Sequence, residues 1–274
     1  MLNSLKNAIT VDVEDWYHVC GLKKNPVVSP AQFRVRKNIE AILGLFSEFN
    51  IKATFFILGQ VAEAKPELAP LISNAGHEIA SHGYSHRLIT SLSADEFRSE
   101  IRKTDHIIKQ QTGVKPIGFR APQWSLSLKE TPWAFEILVQ EGYLYDSSLN
   151  PLPLVGDTKG TKNPFIIQTN SGNLMEFPPM VASIMKKNIP IAGGWAFRLL
   201  PLPFVKKTIK AYNMDNQPAI LFLHPREIDP DGPRLKLPML KSFAAYGTRQ
   251  DATPRLKDLF NTFSFTTIKE LASV

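Results

Sequence analysis

His77-Glu78-Ile79-Ala80-Ser81-His82-Gly83-Tyr84-Ser85-His86 reads as a short strand that carries chemistry at its C-terminal end. Gly76 stops the helical stretch before it, and His77 to Ala80 form the strand. Two imidazoles then follow, four residues apart, beside a glycine that permits close backbone approach. On one helical turn that spacing points both rings the same way, so both reach a single ion. A catalytic zinc usually takes three protein ligands and keeps one position open. A third ligand is therefore required, preferably a carboxylate. Thr10-Val11-Asp12-Val13-Glu14-Asp15 offers three candidates. Taken alone, the histidine pair fits two surface side chains in a turn at least as well.

Strands and helices alternate outward from this stretch. Ala8 to Val11 is a β-type run that ends at the acidic cluster, and Pro30 to Asn50 has the Ile39, Ile42, Leu43 and Phe46 spacing of a helix. Lys52 to Leu58 is an almost continuous apolar strand, as expected when both faces are covered. A helical stretch to Asn74 follows. Ser93-Ala94-Asp95-Glu96 is a capping box that opens a helix with Phe97, Ile101 and Ile108 inward. Pro116 to Phe119 is a strand ending at Arg120, a helix spans Trp133 to Glu141, and Tyr143 to Tyr145 is a strand ending at Asp146. Ala219 to Leu223 is an apolar strand capped by His224. A helix (Arg255 to Phe263) and a short strand (Phe265 to Thr267) close the chain. Asp12, Glu14, His82, Arg120, Asp146 and His224 thus all stand where a strand runs out. Parallel βα units collect those ends on one face, where α/β enzymes build their sites.

Composition sets the class. The chain has 274 residues, 43% apolar and 21% charged, enough for a sizeable core. No internal repeat is present. Cys20 is the only cysteine, which excludes an internal disulfide. The polar N-terminus has no apolar segment behind it, so a cytoplasmic location is expected, and no apolar run reaches the ~18 residues of a spanning helix. The net charge of +7 favours acidic partners, a phosphate-bearing substrate or an anionic membrane face. No nucleic-acid motif accompanies it.

Thr10 to Asp15, the His82/His86 pair, Gly118-Phe119-Arg120-Ala121-Pro122 and Phe222-Leu223-His224 together resemble the ordered motifs of NodB-homology polysaccharide deacetylases, carbohydrate esterase family 4. Ala53 to Phe56 and Gly76 to Ile79 also match, so the resemblance covers roughly residues 8 to 225. His224 to Pro230 resembles the branch associated with exopolysaccharide and exosortase loci. The resemblance implies a distorted, incomplete (β/α)7 barrel with its site at the C-terminal ends of the strands. It also implies a divalent metal, usually Zn2+, and removal of N-acetyl groups from amino sugars. The chain is read as a single domain, 1–274, with a branch-specific extension over about 225–274.

Amide hydrolysis needs a nucleophilic water, a base, charge relief on the carbonyl oxygen and an acid for the leaving amine. A metal supplies the first and third. By its family position Asp12 is the general base, His224 is the candidate general acid, and Arg120 pairs with Asp12 to keep it ionised and oriented. The Gln123 backbone N–H matches the position that helps bind the developing oxyanion, and Trp124 is a wall of the acetyl pocket or a core residue. The family commonly has Asp-Asp in its first motif, whereas Val13 separates the acids here. Asp12 and Glu14, two apart on a strand, face the same way, so Glu14 is the first choice for third ligand and Asp15 the second.

Glu176, at the end of Met175-Glu176-Phe177-Pro178-Pro179, is read either as a contact to sugar hydroxyls at the substrate cleft or as a solvated loop carboxylate. Asp146 is placed there too, or in a turn that holds Arg120 or His224. Ile189 to Val205, interrupted by prolines and glycines and flanked by Lys186-Lys187 and Lys206-Lys207, is read either as a packed insert or as a lid or membrane-resting segment. In the second case Trp195, Phe197 and Phe204 enter the interface. The expectation is a cytoplasmic metal-dependent N-deacetylase of an N-acetylated glycan or its lipid-linked precursor, in peripheral contact with the inner membrane face. The rivals are a ureide or formamide hydrolase and an inactive carbohydrate-binding module. The complete set of base, metal pair and acid disfavours the inactive module.

Overall fold

The computed structural model describes residues 5–19, 22, 26, 28–152, 160–185 and 187–272. Lys186, expected at a membrane-facing segment, lies outside the described residues. Strand β1 (Asn7–Val13) is buried along its whole length, because it is hydrogen-bonded in the middle of the sheet with layers on both faces. Helix α1 (Val35–Glu48) buries Val35, Ile39, Ile42, Leu45 and Phe46 on one stripe. The expected helix from Pro30 is broken: Pro30–Gln32 is a short 3-10 turn, and α1 starts only where a distant carboxylate caps it. That cap is Asp15, which accepts the N–H groups of Arg34 (2.9 Å) and Val35 (3.2 Å), two of the donors a helix start leaves unpaired.

The chain continues through β2 (Thr54–Ile57), α2 (Gly59–Ala64), α3 (Leu68–Asn74), β3 (Glu78–Ser81) and α4 (Ala94–Thr112). At the start of α4 the capping box forms as read, with the Glu96 N–H on Ser93 Oγ and the Ser93 N–H on Glu96 Oε2. Then come β4 (Gly118–Phe119), α5 (Pro132–Gln140) and β5 (Tyr145–Asp146). Strands β6 (Phe165–Thr169) and β7 (Gly172–Glu176) form a hairpin whose patterning gave little signal. A second hairpin, β8 (Val181–Ile184) with β9 (Lys187–Pro190), precedes α6 (Gly194–Leu199) and α7 (Leu202–Met214). The last elements are β10 (Ile220–Leu223), α8 (Met239–Tyr246), α9 (Thr253–Phe260), β11 (Phe265–Thr266) and α10 (Ile268–Ala272).

The large sheet runs β10-β1-β2-β3-β4-β5-β7-β6. Every pairing from β10 to β7 is parallel, and only β6 is antiparallel. Among the described residues no pairing joins β6 back to β10, so the curled sheet is an incomplete barrel of βα units. Ala8 pairs with Ile220 and Asn7 with Phe265. The end of the chain is therefore stitched onto its first strand.

The apolar stretch from Ile189 to Val205 is a packed insert. Phe197 is buried and not available to enter a lipid interface, whereas Phe204 is half-buried against the same core and Trp195, also half-buried, lies against Phe243 with ring centroids 5.3 Å apart. Lys206 pairs with Asp258 at 2.7 Å. Among the described residues no helix is long and apolar enough to cross a membrane.

Candidate active site

The strand ends converge as the alternation demanded. Glu14 follows β1, His82 follows β3, Arg120 follows β4 and His224 follows β10, while Asp146 and Glu176 are the last residues of β5 and β7. Leaving β1, the chain makes a three-residue turn, with the Glu14 N–H on the Asp12 carbonyl at 2.8 Å. The Glu14 carboxylate thereby reaches the histidines: its Oε1 lies 3.2 Å from His82 Nε2 and 2.9 Å from His86 Nε2.

The two histidines do not meet on a helical turn. His82 follows directly on β3, and the chain reverses through Gly83 (φ 72°) and His86 (φ 59°), both left-handed. Glu100 of α4 fixes this reversal by accepting the Tyr84 and Ser85 N–H groups and the Ser85 hydroxyl. His82 Nδ1 is 2.7 Å from the Arg120 carbonyl, which can only accept. In the neutral ring the proton is therefore on Nδ1, and the Nε2 lone pair faces Glu14. Two acceptors facing each other across 3.2 Å form an arrangement a cation resolves. Glu14, His82 and His86 offer ligand atoms within 4.8 Å of one another, a nitrogen and carboxylate set that fits zinc and similar divalent ions. Burial alone would raise the Glu14 carboxyl, yet His86, His224 and His82 hold it well below the usual range. Burial pushes His82 down, but Glu14 and Asp12 outweigh it and raise the imidazole.

Asp15, the second-choice ligand, is not in this cluster. Its oxygens accept the backbone N–H groups of Trp16, Arg34 and Val35. It serves the start of α1, because the turn after β1 points it away from Glu14.

Asp12 Oδ1 accepts from Arg120 Nη1 at 2.8 Å, and its Oδ2 lies 3.8 Å from His224 Nε2. Arg120 is itself clamped: Nη1 also reaches Thr10 Oγ1 (2.7 Å), Nε the Ser147 carbonyl (3.1 Å) and Nη2 the Ser147 hydroxyl (2.8 Å). His224 Nδ1 lies 2.7 Å from Glu227 Oε1, and that carboxylate also accepts the His224 N–H. Asp12 and His224 therefore face each other, each held from behind. Trp124 reaches this side through Phe222, with ring centroids 4.8 Å apart, and Phe222 in turn packs on His224. Gln123 sits in the left-handed region (φ 51°) in the 3-10 turn Pro122–Trp124 that follows Arg120 and Ala121.

Asp146 and Glu176 do not line a cleft, since both are fully buried. Glu176 Oε1 accepts the N–H groups of Ser148 (3.1 Å) and Leu149 (2.9 Å), and Asp146 Oδ1 accepts the Ser148 hydroxyl (2.6 Å). Burial pushes Asp146 up to about 6 and Glu176 well above the carboxylate range, so the pair retains a proton that two facing carboxylates can share. Together they anchor the turn whose Ser147 grips Arg120.

Three contributors went unassigned in the sequence. Glu227 and Arg226 follow His224 within one turn, and Arg226 Nη1 donates to Glu14 Oε2 at 2.8 Å. Adjacency to His224 was the available signal. His18 stands beside His86, with ring centroids 5.8 Å apart. Its Nδ1 accepts the Asp15 N–H, so its proton is on Nε2, and burial pushes the imidazole down to about 3. It is a neutral hydrogen-bond donor at the edge of the site, and that tautomer leaves no lone pair for a metal.

Comparison with known proteins follows the same division of residues. The polysaccharide deacetylase description matches residues 28–131, and a domain of unknown function (DUF3473) matches residues 147–273. The site draws on both: His82, His86 and Arg120 belong to the first, His224, Arg226 and Glu227 to the second, and Asp12 and Glu14 precede either. A peptidoglycan deacetylase of Helicobacter pylori is 27% identical over 77% of this chain and 73% of its own length. Other curated relatives are matched over 17% to 34% of their own length. Among solved structures, one from Mycobacterium smegmatis assigned as a polysaccharide deacetylase superposes with a TM-score of 0.65 at 20% identity, covering 100% of this chain and 91% of that one. An allantoinase superposes with a TM-score of 0.62 at 16% identity, over 97% and 88%. At such identities the structures establish the fold. The segment 28–131 is thus similar to polysaccharide deacetylases, and the chain as a whole shares the fold of solved structures of that kind.

Proposed function

We propose that this chain is a metal-dependent hydrolase that removes N-acetyl groups from amino sugars of a polysaccharide or its lipid-linked precursor. The observation that carries the reading is the pairing of Asp12, backed by Arg120, with His224, backed by Glu227, beside the Glu14–His82–His86 cluster. Those three residues would hold the ion, with zinc the usual choice for such donors, and the ion would polarise the amide carbonyl and lower the pKa of a nucleophilic water. Asp12 takes the proton of that water, because Arg120 fixes one of its oxygens and leaves the other toward the acid. His224 presents Nε2 and delivers a proton to the departing amine, while Glu227 fixes the ring through Nδ1. The Gln123 N–H faces the oxyanion and Trp124 bounds the acetyl group in this reading.

Residues 1–274 act as one catalytic unit, 225–274 being the branch-specific extension, since both halves contribute side chains to the site. A cytoplasmic enzyme in peripheral contact with the inner membrane face is consistent with the charge of +7 and with Ile184 and Met185, exposed at the β8–β9 hairpin beside Lys187. Co-sedimentation with anionic liposomes that is absent at low salt would remove that part of the reading.

The test of function is acetate release by the purified, metal-analysed protein from a panel of N-acetylated oligosaccharides, with ureides included because an allantoinase shares the fold. Acetate release lost on replacing Asp12 is the expected result. Turnover of a ureide with no acetate released from any glycan would transfer the protein to the rival activity.

A further inference from the structure

We propose that Arg226 is a positioning residue for the metal site: it occupies one oxygen of Glu14, so that Glu14 supplies a single oxygen to the ion. This rests on the reading of Glu14, His82 and His86 as the ligand set. The two carboxylate oxygens have different company. Oε1 faces both imidazole Nε2 atoms, at 3.2 and 2.9 Å, whereas Oε2 accepts from Arg226 Nη1 at 2.8 Å. A carboxylate that chelates through both oxygens would have to turn Oε2 away from that guanidinium. The guanidinium does not yield easily, because its Nε donates to the Ala245 carbonyl at 3.1 Å, near the end of α8, and only 16% of the side chain is exposed. A planar group bonded through two of its nitrogens has one orientation.

The consequence is electrostatic as well as geometric. Two neutral imidazoles and one carboxylate bring a charge of −1 to the ion, and Arg226 cancels it at close range. The ion then keeps more of its Lewis acidity and more open positions, at some cost in affinity. Glu14 is a longer carboxylate than the aspartate common in the family and stands one residue later in the chain. Without Arg226 that extra reach would allow chelation through both oxygens.

The test uses the cobalt-substituted protein, whose visible d–d absorption weakens as coordination number rises, with affinity measured by chelator competition. In Arg226→Met, Glu14 is freed to use both oxygens. Its cobalt bands should weaken, and its affinity for cobalt and zinc should rise roughly tenfold or more, the effect expected of removing a nearby positive charge. Arg226→Lys keeps the charge without the fixed fork and should give intermediate spectra with near wild-type affinity. Thermal melting of both variants shows whether they fold; if Met does not, the lysine variant must still shift the spectrum. An unchanged cobalt spectrum in the folded variants, or weaker binding in Arg226→Met, overturns the proposal. Glu14→Ala separates the two levels: if it still binds cobalt like the wild type, the ligand set is wrong whatever Arg226 does.

Discussion

Arg120→Met is the perturbation that most directly probes how the site is built. The wild-type guanidinium is 1% exposed and makes four hydrogen bonds, to Asp12, to Thr10 and twice to Ser147, while lying 4.2 Å over the Phe56 ring. Methionine fills much of the volume and keeps the contact with Phe56, but strips Asp12, itself 2% exposed, of its guanidinium partner and leaves only His224 Nε2, 3.8 Å away, near its charge. Removing one partner of a buried ion pair typically costs about 3–5 kcal/mol, most of it the penalty for the stranded charge. The single variant should therefore lose about 3–5 kcal/mol in denaturant unfolding, with an unchanged slope. Adding Asp12→Asn removes the stranded charge, so the double variant should recover a large part of that loss. Metal content should survive both changes, since His82 is oriented by the backbone carbonyl of residue 120 and not by its side chain. A loss below about 1 kcal/mol in Arg120→Met, or single-variant losses that simply add in the double, would refute the stranded-charge account.

Asp12→Asn alone should keep the metal and lower turnover ~100-fold or more, because it removes a proton acceptor and little volume; turnover within a few-fold of wild type in acetate-release assays would contradict the base assignment. Asp15→Ala should retain full metal content and lose about 1–2 kcal/mol of stability, the usual cost of removing a helix cap, whereas Glu14→Ala should lose the metal; metal analysis showing the reverse would restore Asp15 as ligand. Asp146 has a folded pKa of about 6 against an ordinary 3.8, so the folded state binds the extra proton. Its stabilising contribution is present below ~4 and is lost as pH rises through about 6. Asp146→Asn, which keeps an acceptor for Ser148 and can donate to Glu176, should remove that component. Melting curves across pH 4–7 that run parallel in wild type and variant would count against a shared proton.

The strands and their ends were legible in the sequence because local patterning sets them. Continuous apolar runs marked β2, covered on both faces, and β10 as strands, and the residue following each such run had to emerge on the common C-terminal face. Asp12, Glu14, His82, Arg120 and His224 were therefore identifiable one strand at a time, and Ser93 with Glu96 placed the start of α4. Tertiary structure decided what those residues do to one another. The histidine spacing is the same on a helical turn and in a reversing loop; Glu100, fourteen residues beyond His86, selects the loop. Glu14 and Asp15 are chemically equivalent in the chain, and only the arrival of α1 claims Asp15. Asp146 and Glu176 resembled cleft residues at strand ends, but β5 pairs with β7 and buries both. Arg226 meets Glu14 across 212 residues of sequence. Such contacts follow from which strands become neighbours, as β10 does beside β1, and strand order is a global choice of packing that no local pattern encodes.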